Sequence, residues 1–269
     1  MSNSRNPIRL LAAQLLVKTG LNRFFIIHMN GYKLRFSNSA LAVTLFADKQ
    51  ERNNDEDLLR RVLPHGGTYV DVGANIGTLV FPAARIVGPE GKVVGIEAHP
   101  QTFKNLEANV TLNRFPNIEI IHTAAGNSTG EIFFSNMNTD DQNKVVEENA
   151  STIRVPVNTL DKILINIAYV SVLKIDVEGY EKFVLEGAAE VLGRTDVVLY
   201  ESWDSHFLKF GYNAGVVAEF FYRNDFRVYR FKTDKLMPFT TGDKSEVCEN
   251  LLAIRRARED MLKSIIESA

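Results

Sequence analysis

Four acidic residues, Asp71, Glu97, Asp176 and Glu201, each close a short apolar run that reads as a buried strand. Packing has no use for a carboxylate at one strand end after another, whereas open α/β sheets place their ligand crevice there. Asp71 opens the most informative stretch, Asp71-Val-Gly-Ala-Asn-Ile-Gly77, a glycine-rich turn between a strand over 68–71 and a helix over 78–87. Such a turn brings backbone N–H groups and a helix N-terminus up to a ligand. Glu97 ends the next strand, about twenty residues on, where an acid can hold the two hydroxyls of a ribose. Together they point to a nucleoside-containing ligand.

The ligand's charge follows from the same residues. A dinucleotide fingerprint needs G-x-G-x-x-G, but Gly73 is followed by Ala74, Asn75, Ile76, Gly77 and Thr78. A carboxylate two residues before Gly73 would repel a pyrophosphate. It suits a ligand carrying an ammonium and a sulfonium, which is S-adenosylmethionine (SAM). The plainer reading, a tight turn beside a surface acid, leaves the spacing of Glu97 unexplained. Methyl transfer from a sulfonium is an in-line displacement in which positioning does much of the work. A hydroxyl acceptor must also lose its proton, which calls for a base or a metal. The candidates are Asp176 with its neighbours Lys174 and Glu178, then Glu201, then His206, the natural base near neutral pH. Against these roles stand a helix-capping Asp176 and a half-exposed His206 on a connecting helix. Trp203, Phe207, Phe210 and Tyr212 follow as an aromatic cluster, either core or a platform for an acceptor.

These residues need a scaffold. Strands are expected at 69–72, 92–97, 118–122, 172–176, 197–201, 226–231 and 250–254, and helices at 55–63, 78–87, 101–113, 181–192 and 214–223. Their alternation predicts an α/β fold, a mostly parallel sheet with helices on both faces. Residues 126–158 interrupt it with a turn-rich, polar excursion, and 136–151 is expected to be a substrate lid. Upstream, 24–29 and 32–36 flank Asn30-Gly31, a favoured two-residue hairpin turn. We divide the chain into a helix-plus-hairpin extension (1–50) and a cofactor-binding domain (51–269). The helix over 8–17 is expected to be amphipathic and packed on the domain, with contact to a membrane surface left open.

The 269 residues have 45% hydrophobic and 24% charged content, ordinary for a globular protein. A net charge of −2 gives no case for nucleic acid as a partner. The apolar 8–17 segment is too short to span a bilayer. Cys248 is the single cysteine, so no internal disulfide forms, and a reducing, cytoplasmic location is expected. Homodimerisation is left open.

Asp71–Gly77, Gly95-Ile-Glu-Ala-His-Pro100 and Val172-Leu-Lys-Ile-Asp-Val-Glu-Gly-Tyr-Glu181 together resemble the FkbM family of SAM-dependent methyltransferases. Further echoes are Asn109-Val-Thr-Leu-Asn113, Ala124-Ala-Gly126, Thr159-Leu-Asp161 and Gly187-Ala188. The resemblance implies a class I methyltransferase, Rossmann-like fold with a seven-stranded sheet whose last strand is antiparallel. It implies that Asp71, Gly73, Ala74, Asn75 and Gly77 surround the methionine end of SAM, with Glu56 and Asp176 near it. Glu97 would take the ribose, and Ala98, His99 and Ala125 the adenine. Asn127 departs from the family's usual Asp. Carboxylates after strands four and five resemble those of Mg-dependent O-methyltransferases, but Glu201-Ser202 stands where those have Asp-Asn, so no metal is expected to be required. The expected reaction is O-methylation of a small molecule, natural product or carbohydrate. The alternatives are N-methylation of a peptide side chain or amine, and SAM binding without catalysis.

Overall fold

A computed structural model describes residues 7–50, 53–135, 144–147, 149, 151–232 and 235–268. The chain enters through α1 (Pro7–Lys18), a 3-10 turn over Leu21–Phe24, the hairpin β1 (Ile26–His28) and β2 (Lys33–Arg35), and α2 (Ala40–Ala47). Gly31 takes φ 84°, and the Met29 N–H donates to the Tyr32 carbonyl at 2.9 Å, closing the Asn-Gly turn. Tyr32, Leu34 and Phe36 are buried while Lys33 and Arg35 are exposed, the period of two expected of a half-buried strand. The buried face joins Ile76 and Phe81 in one core cluster, and Tyr32 stacks on Phe81 at 5.5 Å. Helix α2 was not foreseen. Its start is fixed by Ser39, whose side chain accepts from the Ala42 N–H.

The alternating part follows: α3 (Asn53–Val62), β3 (Thr68–Val72), α4 (Val80–Val87), β4 (Lys92–Glu97), α5 (Pro100–Asn113) and β5 (Ile118–His122). After an insertion come α6 (Leu160–Ile163), β9 (Val170–Ile175), α7 (Glu181–Glu186), α8 (Ala189–Gly193) and β10 (Thr195–Ser202). The chain closes with α9 (Asp204–Phe207), α10 (Ala214–Arg223), β11 (Phe226–Lys232), β12 (Lys235–Pro238), β13 (Glu249–Arg255) and α11 (Glu259–Ser268). The sheet order is β12-β11-β13-β10-β9-β3-β4-β5, with β13 antiparallel to both β10 and β11. This is the Rossmann-like class I arrangement, with the short β12 added as an eighth strand on one edge. Alternate residues feed two cores: Val70, Val72, Leu173 and Ile175 one, Tyr69 and Val172 the other. All six residues of β9 are buried, as a central parallel strand requires.

Three features depart from the sequence reading. The insertion holds β6 (Ala124–Ala125), β7 (Gly130–Ser135) and β8 (Thr152–Asn158), a second sheet in the order β6-β8-β7. Of the expected lid, 136–143, 148 and 150 lie outside the described residues, and Val145 bridges back to Phe134. The helix over 181–192 is two helices, because a Cβ at Gly187 would lie 2.0 Å from the Gly126 carbonyl and the backbone bends to that contact. Finally, α1 buries Ala13 but leaves Ile8, Leu11 and Leu15 largely exposed, so only one of its two apolar faces packs on the protein.

The strand order reverses between β3 and β9, and there the glycine turn is tightest. Gly73 has φ 85°, and a Cβ on it would lie 1.9 Å from the Asp176 carbonyl oxygen. Gly20 has φ 71° with nothing within 4 Å of such a Cβ. Gly20→Ala should therefore cost only the left-handed backbone penalty, about 1 kcal/mol. Gly73→Ala adds a clash with backbone and should cost more than about 3 kcal/mol, read from urea unfolding of the two variants.

Candidate functional site

A cavity of about 500 Å³ opens at the carboxyl ends of β3, β4, β9 and β10. Asp71, 3% exposed and the penultimate residue of β3, lines it, and the turn Gly73-Ala-Asn75 forms one wall. Glu97 is fixed by backbone donors at both oxygens: the Asn75 N–H reaches Oε2 at 2.9 Å and the His99 N–H reaches Oε1 at 2.9 Å. Asn75 takes φ 49° to make that bond, and its buried Oδ1 has no hydrogen-bond partner among the described residues. Ala98, His99, Thr123, Ala124 and Ala125 continue the wall.

Between the strand ends lies a buried cation. Lys174, 2% exposed, donates from Nζ to Asp176 Oδ2 at 2.9 Å. Burial works to lower its pKa, but Asp176 and Asp71 outweigh burial and hold the ammonium above its ordinary range. Two acids and one lysine thus cross-link the ends of β3 and β9, which are hydrogen-bonded neighbours.

Beyond Asp176 the cavity edge is acidic. Glu178 takes a left-handed backbone (φ 57°), and Gly179 (φ 101°) lets the turn abut α9, where a Cβ would meet the His206 carbonyl at 3.0 Å. His206 Nδ1 lies 3.3 Å from Glu178 Oε2 and 3.8 Å from Glu201 Oε2 without hydrogen-bond geometry to either. Burial, with Glu201 and Asp176 nearby, pushes Glu178 up to about 8. Burial, with Lys209 and Lys144, pushes His206 down to about 4. Near neutral pH Glu178 is therefore mostly protonated and the imidazole neutral. The Cys248 thiol donates to Glu201 Oε1 at 2.9 Å, and burial followed by that carboxylate raises its pKa. Donor atoms of Glu178, Glu201 and His206 lie within 4.8 Å of one another, so the three could share a divalent cation.

Of the expected site residues, Asp71, Gly73, Ala74, Asn75, Glu97, Ala98, His99, Ala125, Lys174, Asp176 and Glu201 line this one cavity. Three do not. Glu56 is buried beneath it, accepting from the Tyr32 hydroxyl at 3.2 Å and lying 3.5 Å from the Arg60 guanidinium. Gly77 is packed on Phe81 and Leu106, and His206 stands behind Glu178 and Glu201. Trp203 packs on His206 at 4.2 Å, while Phe207 and Tyr212 are core. The sequence reading passed over Leu41 and Thr44 of α2, Ile132 and Phe134 of β7, Val145, Tyr180 and Asn250, all of which line the cavity. In β7, the spacing of Ile132 and Phe134 was the available signal. No signal marked α2.

One buried acid near the site gives a test of its electrostatics. Glu181 is fully buried; its Oε1 accepts from the Val177 N–H at 3.0 Å, and burial raises it to about 8. A carboxyl with a raised folded-state pKa binds more protons folded than unfolded, so its contribution falls as pH rises from about 4.5 to about 8. Glu181→Gln should flatten that decline, gaining on the order of 2 kcal/mol relative to the parent between pH 5 and pH 8, measured by urea unfolding at both.

The model of the methyltransferase FkbM domain matches residues 71–228. The hexuronic acid methyltransferase AglP of Haloferax volcanii is 29% identical over 196 residues, 70% of this chain and 78% of that protein. Among solved structures, an FkbM methyltransferase from Methylobacillus flagellatus is 15% identical with a TM-score of 0.46, over 91% of this chain and 58% of that one. A precorrin-6y C5,15-methyltransferase from Geobacter metallireducens is 12% identical with a TM-score of 0.48, over 77% and 89% of the two chains.

Proposed function

The chain belongs to the FkbM methyltransferase family and is a SAM-dependent methyltransferase, and on that premise we propose that it methylates a hydroxyl group of a carbohydrate-like acceptor. The observation that carries this reading is Glu178, a cavity-lining carboxyl raised to about 8 beside Glu201 and Asp176. A base poised near the working pH suits an acceptor that must lose a proton. Carboxylates at this edge would accept hydrogen bonds from sugar hydroxyls, and Tyr180 and Phe134 offer apolar faces to a ring. The similarity to a hexuronic acid methyltransferase supports the same acceptor class.

The cavity suits the donor. Asn75 Oδ1 is buried without a hydrogen-bond partner among the described residues, the turn at Gly73 has no room for a side chain, and Glu97 is held by two backbone N–H groups. In this reading Asp71 answers the ligand's ammonium, Glu97 accepts the ribose hydroxyls, and Ala98, His99 and Ala125 flank the adenine. When bound, SAM supplies an electrophilic methyl group on a sulfonium. Lys174 pairs with Asp176 and attracts Asp71. Glu178 takes the acceptor's proton, and burial with Glu201 and Asp176 beside it sets its pKa.

Two experiments test this. Calorimetric titration with SAM should give binding that Asp71→Ala and Glu97→Ala each weaken by about 100-fold, the loss of a charge-assisted contact. Unchanged affinity in both would remove the roles given to Asp71 and Glu97. With a panel of glycosides, kcat should climb as pH rises through about 8. Glu178→Gln should lower kcat by about 100-fold or more, flatten that rise and leave SAM affinity intact. A peptide amide accepted in place of every sugar would instead favour N-methylation. The donor atoms within 4.8 Å support a second reading, metal-assisted transfer. Activity that survives exhaustive chelation favours the base, whereas loss restored by Mg favours the metal.

A further inference from the structure

The first 47 residues differ from the rest of the sequence in charge, and their described part also differs in exposed apolar surface. Six of the chain's 31 basic residues lie there (Arg5, Arg9, Lys18, Arg23, Lys33 and Arg35) and none of its 33 acidic ones; an even spread would place about six acids there. In the same stretch Ile8, Leu11 and Leu15 recur at i, i+3 and i+7 along one outward face of α1, and are 76%, 65% and 62% exposed. The 3-10 turn packed beside α1 adds Leu21 at 48% and Phe24 at 71%, with the Arg23 guanidinium 4.9 Å from the Phe24 ring. The opposite side of α1 is not spare: Ala13, Leu16 and Val17 pack with Leu41, Ala42 and Leu45 of α2.

We infer that this face docks on an anionic lipid bilayer. Exposed Ile, Leu and Phe side chains enter the boundary between headgroups and acyl chains, and the exposed Arg9, Lys18 and Arg23 of α1 and its adjoining turn meet anionic headgroups. Charge decides between occupants. A second copy of the chain would bring two acid-free, basic faces together and they would repel, while a nucleic acid would leave the apolar stripe unburied. The docked face belongs to the extension whose α2 also supplies Leu41 and Thr44 to the cavity wall, so docking holds the cavity close to the membrane surface. The inference does not depend on which acceptor is methylated.

The test is co-sedimentation of the full chain with phosphatidylcholine vesicles, with and without phosphatidylglycerol. Binding should require phosphatidylglycerol and weaken in high salt. It should drop about tenfold or more both in Leu11→Ser/Leu15→Ser/Phe24→Ser and in Lys18→Gln/Arg23→Gln. Calorimetric SAM binding should be the same in both variants as in the parent, showing that they fold. Failure of the parent to pellet with either vesicle, or equal pelleting of parent and both variants, overturns the inference. So does a dimer in sedimentation equilibrium that the apolar variant dissociates, which would assign the face to a second copy. None of these readouts involves methyl transfer, so they stand apart from any failure of the acceptor assignment.

Discussion

The pairing of Lys174 with Asp176, and its attraction to Asp71, is the interaction on which the site depends. Two carboxylates at adjacent strand ends would repel and draw in water, and either could escape by protonation. An ammonium held between them, itself almost fully buried, offsets that repulsion and holds the two strand ends in register. It also fixes the Asp176 backbone against Gly73, whose missing side chain is what lets the two strand ends close up. Removing the cation would leave buried charge uncompensated, a loss of about 3–5 kcal/mol. The glycine turn, the carboxylate floor and the switch in strand order therefore form one mechanical unit.

Next to this ion-paired unit lies a group of acids with no lysine among them. Glu178, Glu181 and Glu201 crowd the same edge with His206 among them, and burial with repulsion from neighbouring acids raises Glu178 and Glu181 to about 8. Fold and chemistry thus ask for opposite electrostatics a few residues apart. The ionised floor must stay charged to receive a cationic ligand. The edge must be able to change its protonation state.

Much of this was legible in the sequence because the signals are local. The strands around Asp71, Glu97 and Glu201 were read to within two residues, since each is a short apolar run bounded by turn residues. Their acids fall on one crevice because parallel strands share an end. What could not be read depends on contacts between distant segments. Glu178 was noted only as a neighbour of Asp176, because its raised pKa comes from Glu201 and from α9 packing over Gly179. Glu56 looked placed for the ligand until Tyr32 and Arg60 claimed it. Leu41 and Thr44 line the cavity only because a hairpin folds α2 back over the glycine turn. The outward stripe of α1 was visible as apolar spacing, but not which of its two faces would be covered.

Helix α5 ties that hairpin to the turn through two asparagines. Asn109 accepts from the Arg35 N–H and donates to the Ile76 carbonyl; Asn113 accepts from the Lys33 N–H and donates to the Lys33 carbonyl. Backbone groups of β2 that would otherwise form an open strand edge are answered by side chains, one helical turn apart, as if by a further strand. That edge cannot recruit a foreign β-strand. A chimera exchanging the extension between relatives would have to carry α5 with it. The spacing Asn109-x-x-x-Asn113 is thus a docking register for the hairpin, and the hairpin's inheritance is coupled to that of the helix.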